Sequence, residues 1–479
     1  MKTICITLSV ILVCCSIEDV KAPSPLFPVP DKNQLAWHEM EMNAFVHFTT
    51  NTFTGKEWGF GDENPSIFNP TNFDADQWIS LFEEAGFKGV ILTCKHHDGF
   101  CLWPSQYTGH SVKNSPWQNG KGDVVREVAE ACKKHGLKFG IYLSPWDRNC
   151  KEYGTPDYLT YYRNQLKELF TSYGPVFEMW FDGANGGDGY YGGKREKRSI
   201  EGRTYYDWPA TLDLVRKMEP GIIFFSDAGP GVRWVGNERG IAGETNWNMI
   251  SPDTLFAGKP GIESLLNTGS GEGTAWIPAE VDVSIRPGWF YHAGEDSLVK
   301  SPQKLLEIYL TSVGRGSTLL LNVPPDQRGR IHDNDVTALR GFRALLDQEF
   351  KTNLAPHARI TASSFRGNLK KFDPSLLIDE SKETFWATDD TITSGTIEIS
   401  WDGRKTIRYV VLQEFIALGQ RVKSFTIDAW KDNQWLPVVQ GTTIGYKRIL
   451  KIDPADTDKV RINITASKAC PAISNIEIY

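Results

Sequence analysis

The sequence predicts an α/β chain: a (β/α)8-like barrel followed by a C-terminal antiparallel β-sandwich. Three observations carry that prediction. Eight apolar, strand-like runs lie between residues 44 and 324, several of them separated by amphipathic stretches. Apolar runs separated by helices mean parallel strands buried on both faces, and eight in one domain suit a closed barrel. After about Phe350 the pattern changes to short segments of alternating apolar and polar residues, as in antiparallel sandwiches.

The elements follow in chain order. Residues 1–22 read as a signal peptide: Lys2, an apolar run from Ile4 to Cys15 too short to span a bilayer, and a small-residue cleavage site at Ala22. A lipid anchor at Cys15 is the alternative; in both readings the chain is exported, periplasmic or secreted. Strand-like runs occupy 44–50, 89–96, 138–145, 176–182, 221–227, 241–247, 279–285 and 317–324. The stretch 74–86 opens on Asp74 as a helix N-cap and ends on Gly86, and 122–136 repeats the device. The Gly- and charge-rich segment 183–206 reads as a mobile loop at the barrel mouth. A helix over 334–350 bridges the two domains, which divides the chain into 23–350 and 351–479. Sandwich strands are expected at 396–401, 406–415, 423–430, 459–465 and 473–479.

Composition narrows the partners. A net charge of −7 offers no basic patch for phosphates, which argues against nucleic acid. No segment after the N-terminus is long and apolar enough to cross a membrane. Sixteen Trp and sixteen Tyr are many, and such rings make flat platforms for sugars as well as cores. In the second domain Trp386, Trp401, Trp430 and Trp435 are candidate platforms, with buried core packing as the alternative. Cys94, Cys101, Cys132, Cys150 and Cys470 lack the spacing of a zinc site and read as buried thiols, with a Cys94–Cys101 disulfide as the alternative.

Chemistry-bearing residues gather at the strand ends. An apolar, aromatic run stops at Asp182, and Gly183 opens a Gly-rich loop. A carboxylate at a strand's C-terminal tip is where a barrel enzyme keeps its chemistry. His47 ends the first run, Glu57 and Trp58 lie in the next loop, and His96, His97 and Asp98 end the second. Tyr142 lies near the end of the third and Trp146 follows it, Asp227 ends the fifth and Arg233 follows it, and Glu238 lies in the loop after it. Glycoside hydrolysis commonly needs two carboxyl groups, one to attack or activate water and one to protonate the leaving oxygen. Asp182 is the first candidate, with a helix N-cap as its plain alternative. Glu238 is the second; its alternative is an ion pair with Arg233 or Arg239. Asp98, Asp227, Glu244 and Glu280 are rivals that spacing does not exclude. Adjacent residues on a strand face opposite ways, so His96 and His97 are not expected to share a metal ion. Hydrogen bonding to a polyhydroxylated ligand is their better joint role.

Several linked motifs resemble the α-L-fucosidases of glycoside hydrolase family 29: HFTTNTFTGKEWGFG, CKHHDGF, YLSPW, MWFDGANG, RWVGNE, SIRPGWFYH and LLLNVPPD. The similarity runs from about Leu35 to Phe350 and is strongest to the subfamily that prefers α-1,3/1,4-linked fucose. The second domain is similar to discoidin-type (coagulation factor 5/8 C-terminal) galactose-binding-like modules. The resemblance implies a retaining, exo-acting fucosidase without cofactor or metal, acting on fucosylated oligosaccharides or glycoconjugates. It implies Asp182 as nucleophile and Glu238 as acid/base. It further implies His47, Glu57, Trp58, His96, His97, Tyr142 and Trp180 as fucose-holding residues, with Arg233 beside the acid/base. The alternatives are a glycosidase for another deoxy or galacto-configured sugar, a catalytically silent glycan-binding protein, and an adhesion protein built on the sandwich.

Overall fold

The computed structural model of the protein describes residues 20–479. The apolar run of the expected signal peptide lies outside the described residues. Eight parallel strands close the barrel: β1 Met42–Val46, β2 Gly89–Lys95, β3 Lys138–Leu143, β4 Glu178–Trp180, β5 Ile223–Ser226, β6 Val232–Trp234, β7 Ala279–Ser284 and β8 Thr318–Asn322. They pair in chain order, and β8 returns to β1 with Leu319 opposite Met42. Strand alternation sorts their side chains into two layers. Phe45, Ile91, Tyr142, Trp180, Phe225 and Leu320 fill the inside of the barrel. Ala44, Leu92, Ile141, Met179 and Leu321 pack outward with the helix shell.

Seven strands stand where apolar runs predicted them, and the sixth does not. Residues 241–247 form no strand; β6 is a three-residue strand in the stretch expected to be a loop. So short a strand is specified by its neighbours, because Arg233 pairs with Ser226 of β5 and with Ala279 of β7. The helices Ala75–Ala85 and Val124–His135 carry the expected caps: Asp74 and Asp123 accept from Gln77 and Arg126 N–H, and Gly86 and Gly136 turn left-handed.

Two expectations are corrected. Within the segment 183–206 there is a built hairpin, in which Gly187–Gly189 pairs antiparallel with Glu196–Arg198. Tyr191 anchors it: fully buried, it stacks on Tyr153 and accepts from Trp146 Nε1 at 2.9 Å. The disulfide alternative fails as well, because Cys94 and Cys101 are free, buried thiols. Among the described residues no helix is long and apolar enough to cross a membrane.

The sandwich has its own core around Trp386, Ile397, Val410, Phe425 and Ile462. The runs 396–401 and 406–415 are one bulged strand, Gly395–Glu414. An edge strand, Gln434–Gly441, runs Trp435, Leu436, Pro437, Val438 and Val439 without a polar residue between them, so it shows no apolar–polar alternation and gave no strand pattern. Side chains of this domain hydrogen-bond to backbone groups of the barrel domain. Gln420 Oε1 accepts from Asn248 N–H at 2.8 Å, and its Nε2 donates to Asn246 O at 2.9 Å. Thr443 accepts from Asn246 N–H, and Arg448 donates to Glu244 O, each at 2.8 Å.

Candidate active site

The C-terminal ends of the strands surround one cavity of about 230 Å³. Asp182 lies two residues beyond β4, where the strand has ended and its carboxylate reaches into the cavity. Ala184 N–H donates to its Oδ1 at 2.7 Å, and the Tyr142 hydroxyl donates to its Oδ2 at 3.0 Å. Those bonds fix the carboxylate's orientation. His97 Nε2 stands 3.8 Å from the same Oδ2.

The histidines are neutral hydrogen-bonding groups. Asn322 Nδ2 donates to Ser284 and to Trp289 O, so its Oδ1 accepts from His47 Nδ1 at 2.8 Å. His47 therefore keeps Nε2 as an acceptor. Burial lowers its pKa to about 3, despite the Asn322 bond. Burial lowers His96 and His97 too. Both follow the last residue of β2, where strand alternation no longer applies, and their rings lie 4.1 Å apart along the same cavity. The expected opposite orientation is thus corrected. Among the described residues no three His, Cys, Asp or Glu side chains group as metal ligands.

Glu238 reaches the cavity from an exposed loop, and Trp289 Nε1 donates to its Oε2 at 3.3 Å. Loss of solvent around the carboxyl raises its pKa, and the Asp182 and Glu57 charges add to the effect. Its ion-pair alternative does not form. Asp227 also lines the cavity, next to Gly183, where any side chain would strike it: a Cβ there would stand 2.1 Å from Asp227 Oδ2. Burial, then the Asp182 charge, pushes Asp227 up to about 6.

Of the other sequence-predicted residues, Trp58 and Trp180 line the cavity, and Tyr142 acts from behind through Asp182. Glu57 and Arg233 do not line it. Glu57 accepts from Trp289 N–H at 2.7 Å and pairs with His292 Nε2 at 2.5 Å, so it braces the loop that carries Trp289. Arg233 points out of the barrel, fully buried, and donates to Leu266, Ile277 and Trp247 carbonyls. Alternation on β6 explains this, since it turns Trp234 inward instead. The other rivals stand elsewhere. Asp98 accepts from the Thr49 and Thr50 hydroxyls, Glu244 pairs with Arg315 on the surface, and Glu280 sits deep in the barrel.

Sequence reasoning missed Trp234, Asp282 and Trp289 as cavity walls. Asp282 had a signal: two acids, Glu280 and Asp282, at alternate positions of an apolar strand point into the same interior. Trp234 Nε1 donates to Asp282 Oδ1 at 2.8 Å.

The family model "Alpha-L-fucosidase" matches residues 25–349. The chain belongs to the alpha-L-fucosidase family. The F5/8 type C domain model matches residues 359–477. Alpha-L-fucosidase 1 of Arabidopsis thaliana is 41% identical over 462 residues, covering 95% of this chain and 88% of the relative. Among solved structures, a glycoside hydrolase 29 family member from an unknown rumen bacterium is 43% identical, with a TM-score of 0.85 over 96% of this chain and 78% of that one. A Ruminococcus gnavus GH29 fucosidase in complex with fucose is 34% identical, with a TM-score of 0.87 over 96% of both chains.

Proposed function

We propose that this chain is a retaining, exo-acting α-L-fucosidase that releases α-1,3/1,4-linked L-fucose from glycans. The observation that carries the reading is the cavity, where Asp182 and Glu238 face one small volume walled by neutral imidazoles and indoles. At about 230 Å³ it is smaller than the roughly 300–1,000 Å³ of drug-sized sites, which suits a single terminal sugar. The His47, His96 and His97 rings offer donors and acceptors to hydroxyls. Phe45, Trp180 and Phe225 offer the apolar wall that a 6-deoxy methyl group needs. The fucose complex of the Ruminococcus gnavus relative supports the same sugar.

In this mechanism Asp182 attacks the anomeric carbon while Glu238, still protonated, gives its proton to the departing oxygen. Glu238 then takes a proton from water, which displaces fucose from Asp182. The raised pKa of Glu238 suits the first step. The linkage preference rests on the resemblance of the linked barrel motifs, RWVGNE around Glu238 among them, to the subfamily with that preference. Export, as the N-terminal run suggests, would bring the chain to extracellular glycans.

Fucose release from a 2-linked and a 3/4-linked oligosaccharide, measured side by side, tests the linkage; preference for the 2-linked sugar removes it. Proton NMR of the first-formed product tests the mechanism. α-L-Fucose supports retention, and initial β-L-fucose overturns it.

A further inference from the structure

Glu178 and Glu280 lie inside the barrel, and the reaction does not use them. Both side chains are fully buried. Each gives one oxygen to an indole: Trp37 Nε1 donates to Glu178 Oε2, and Trp180 Nε1 to Glu280 Oε1, each at 2.9 Å. The remaining oxygens, Glu178 Oε1 and Glu280 Oε2, receive no N–H or O–H from any other residue. The two carboxyl groups instead meet each other within hydrogen-bond range.

The surroundings supply no cation. The cross-strand neighbour of Glu280 on β8 is Thr318, which is neutral. The next inward residue of β7 is Asp282, and the charge beyond it is Glu238, so both nearby titratable groups are acidic. No Lys, Arg or His acts on either glutamate among the described residues. The buried cations Lys95 and Arg233 are engaged elsewhere, by Asp147 and by backbone carbonyls. Two facing carboxylates in a dry interior without a cation do not both ionise.

We propose that Glu178 and Glu280 share one proton and act as positioning residues for Trp180, the aromatic wall of the sugar cavity. A proton between Glu178 Oε1 and Glu280 Oε2 gives each orphaned oxygen a partner and leaves the pair with a single negative charge. Burial raises both pKa values, and for Glu280 the Glu178 charge adds to it. Glu280 Oε1 then holds the Trp180 N–H. The indole lies flat against Phe225, 3.9 Å between centroids and 5° between planes, and stacks on Tyr142, which orients Asp182. The proton site thus reaches the nucleophile through two rings.

Capillary electrophoresis near pH 8.5 reads the shared proton without any sugar, so its outcome is independent of the fucosidase reading, on which only the ligand arm rests. Glu280→Gln replaces a shared proton with an amide and co-migrates with wild type. The double variant Glu178→Gln/Glu280→Gln moves by one unit charge, as does the control Glu272→Gln at a side chain 91% exposed. A full-unit shift in the single variant means both groups were ionised, and no shift in the double variant means both were protonated; either overturns the pair. In the ligand arm, calorimetry measures L-fucose affinity. Glu280→Leu weakens it about ten-fold, the equivalent of one buried hydrogen bond, and Glu280→Gln restores it to within about three-fold. Wild-type affinity in Glu280→Leu overturns the positioning role. Should the Leu variant fail to fold, the pH profile decides: wild-type affinity declines as the pair loses its proton at alkaline pH, and the Glu280→Gln profile lacks that decline. Superimposable profiles overturn the proposal.

Discussion

The barrel mouth and the sandwich are both rich in aromatic and polar side chains, but they use them differently. At the mouth, residues from separate strand ends converge on one cavity, and several depend on the same partner: Trp289 donates to Glu238 while its backbone N–H is held by Glu57. In the sandwich the aromatics disperse. Trp386 and Trp401 are buried core, their indoles donating to Ser364 O and Leu354 O. Trp430 and Trp435 meet edge to face at 5.1 Å, with Lys459 and Arg461 over their rings. Aromatic content alone therefore does not mark a site; convergence does.

That contrast can be broken at either end. The largest effect is expected at Asp182, where Asn or Ala lowers kcat by about three orders of magnitude or more while L-fucose still binds. Steady-state kinetics on an aryl fucoside, with calorimetry, measure both, and near-wild-type turnover would remove the nucleophile. Next comes Glu238→Ala, which costs roughly 10²–10⁴-fold on oligosaccharides and much less on activated aryl fucosides. Equal losses on both substrates would count against an acid role. In the sandwich the largest loss is one of stability: Trp386→Ala destabilises by roughly 3–5 kcal/mol through its cavity, read by thermal unfolding.

Smaller effects sharpen the contrast. The Trp289 N–H favours the ionised form of Glu238 and so lowers its pKa. Trp289→Phe removes that bond, the pKa rises, and the acid form persists to higher pH. The alkaline limb of kcat/KM therefore moves upward, and a downward shift refutes the role. Smallest is Trp430→Ala, which loses about 0.5–1 kcal/mol of cation–π contact. Its kcat/KM on an aryl fucoside stays within about two-fold, because surface changes away from a site perturb little.

Much of this was legible in the sequence, for physical reasons. Long apolar runs marked seven strands because burial on both faces demands them, and Asp74, Gly86, Asp123 and Gly136 announced helix ends through backbone chemistry. Asp182 was visible because its strand stops there. β6 was not visible, because three residues containing an arginine carry no periodicity, and its pairing comes from β5 and β7. Missing β6 also misplaced Arg233, whose neighbour Trp234 takes the inward position. Glu57 was read toward the sugar, whereas backbone N–H groups far along the chain claim its carboxylate. The hairpin in 183–206 was hidden because a single tyrosine, Tyr191, holds a glycine-rich stretch in place.

The Gln420 clasp has a consequence for recombination. Along the chain, the two family models leave a seam between residues 349 and 359. In space, much of the second module's grip falls on residues 244–248, more than a hundred positions upstream, and Lys447, Ile449 and Lys468 add bonds to Glu41, Gly314 and Gly271. A chimera spliced at the seam would inherit a foreign loop opposite Asn246 and Asn248, with their backbone groups left to water. A working exchange would transplant the 244–248 segment and the partners of Lys447, Ile449 and Lys468 together with the sandwich, so the heritable unit is the matched pair of surfaces.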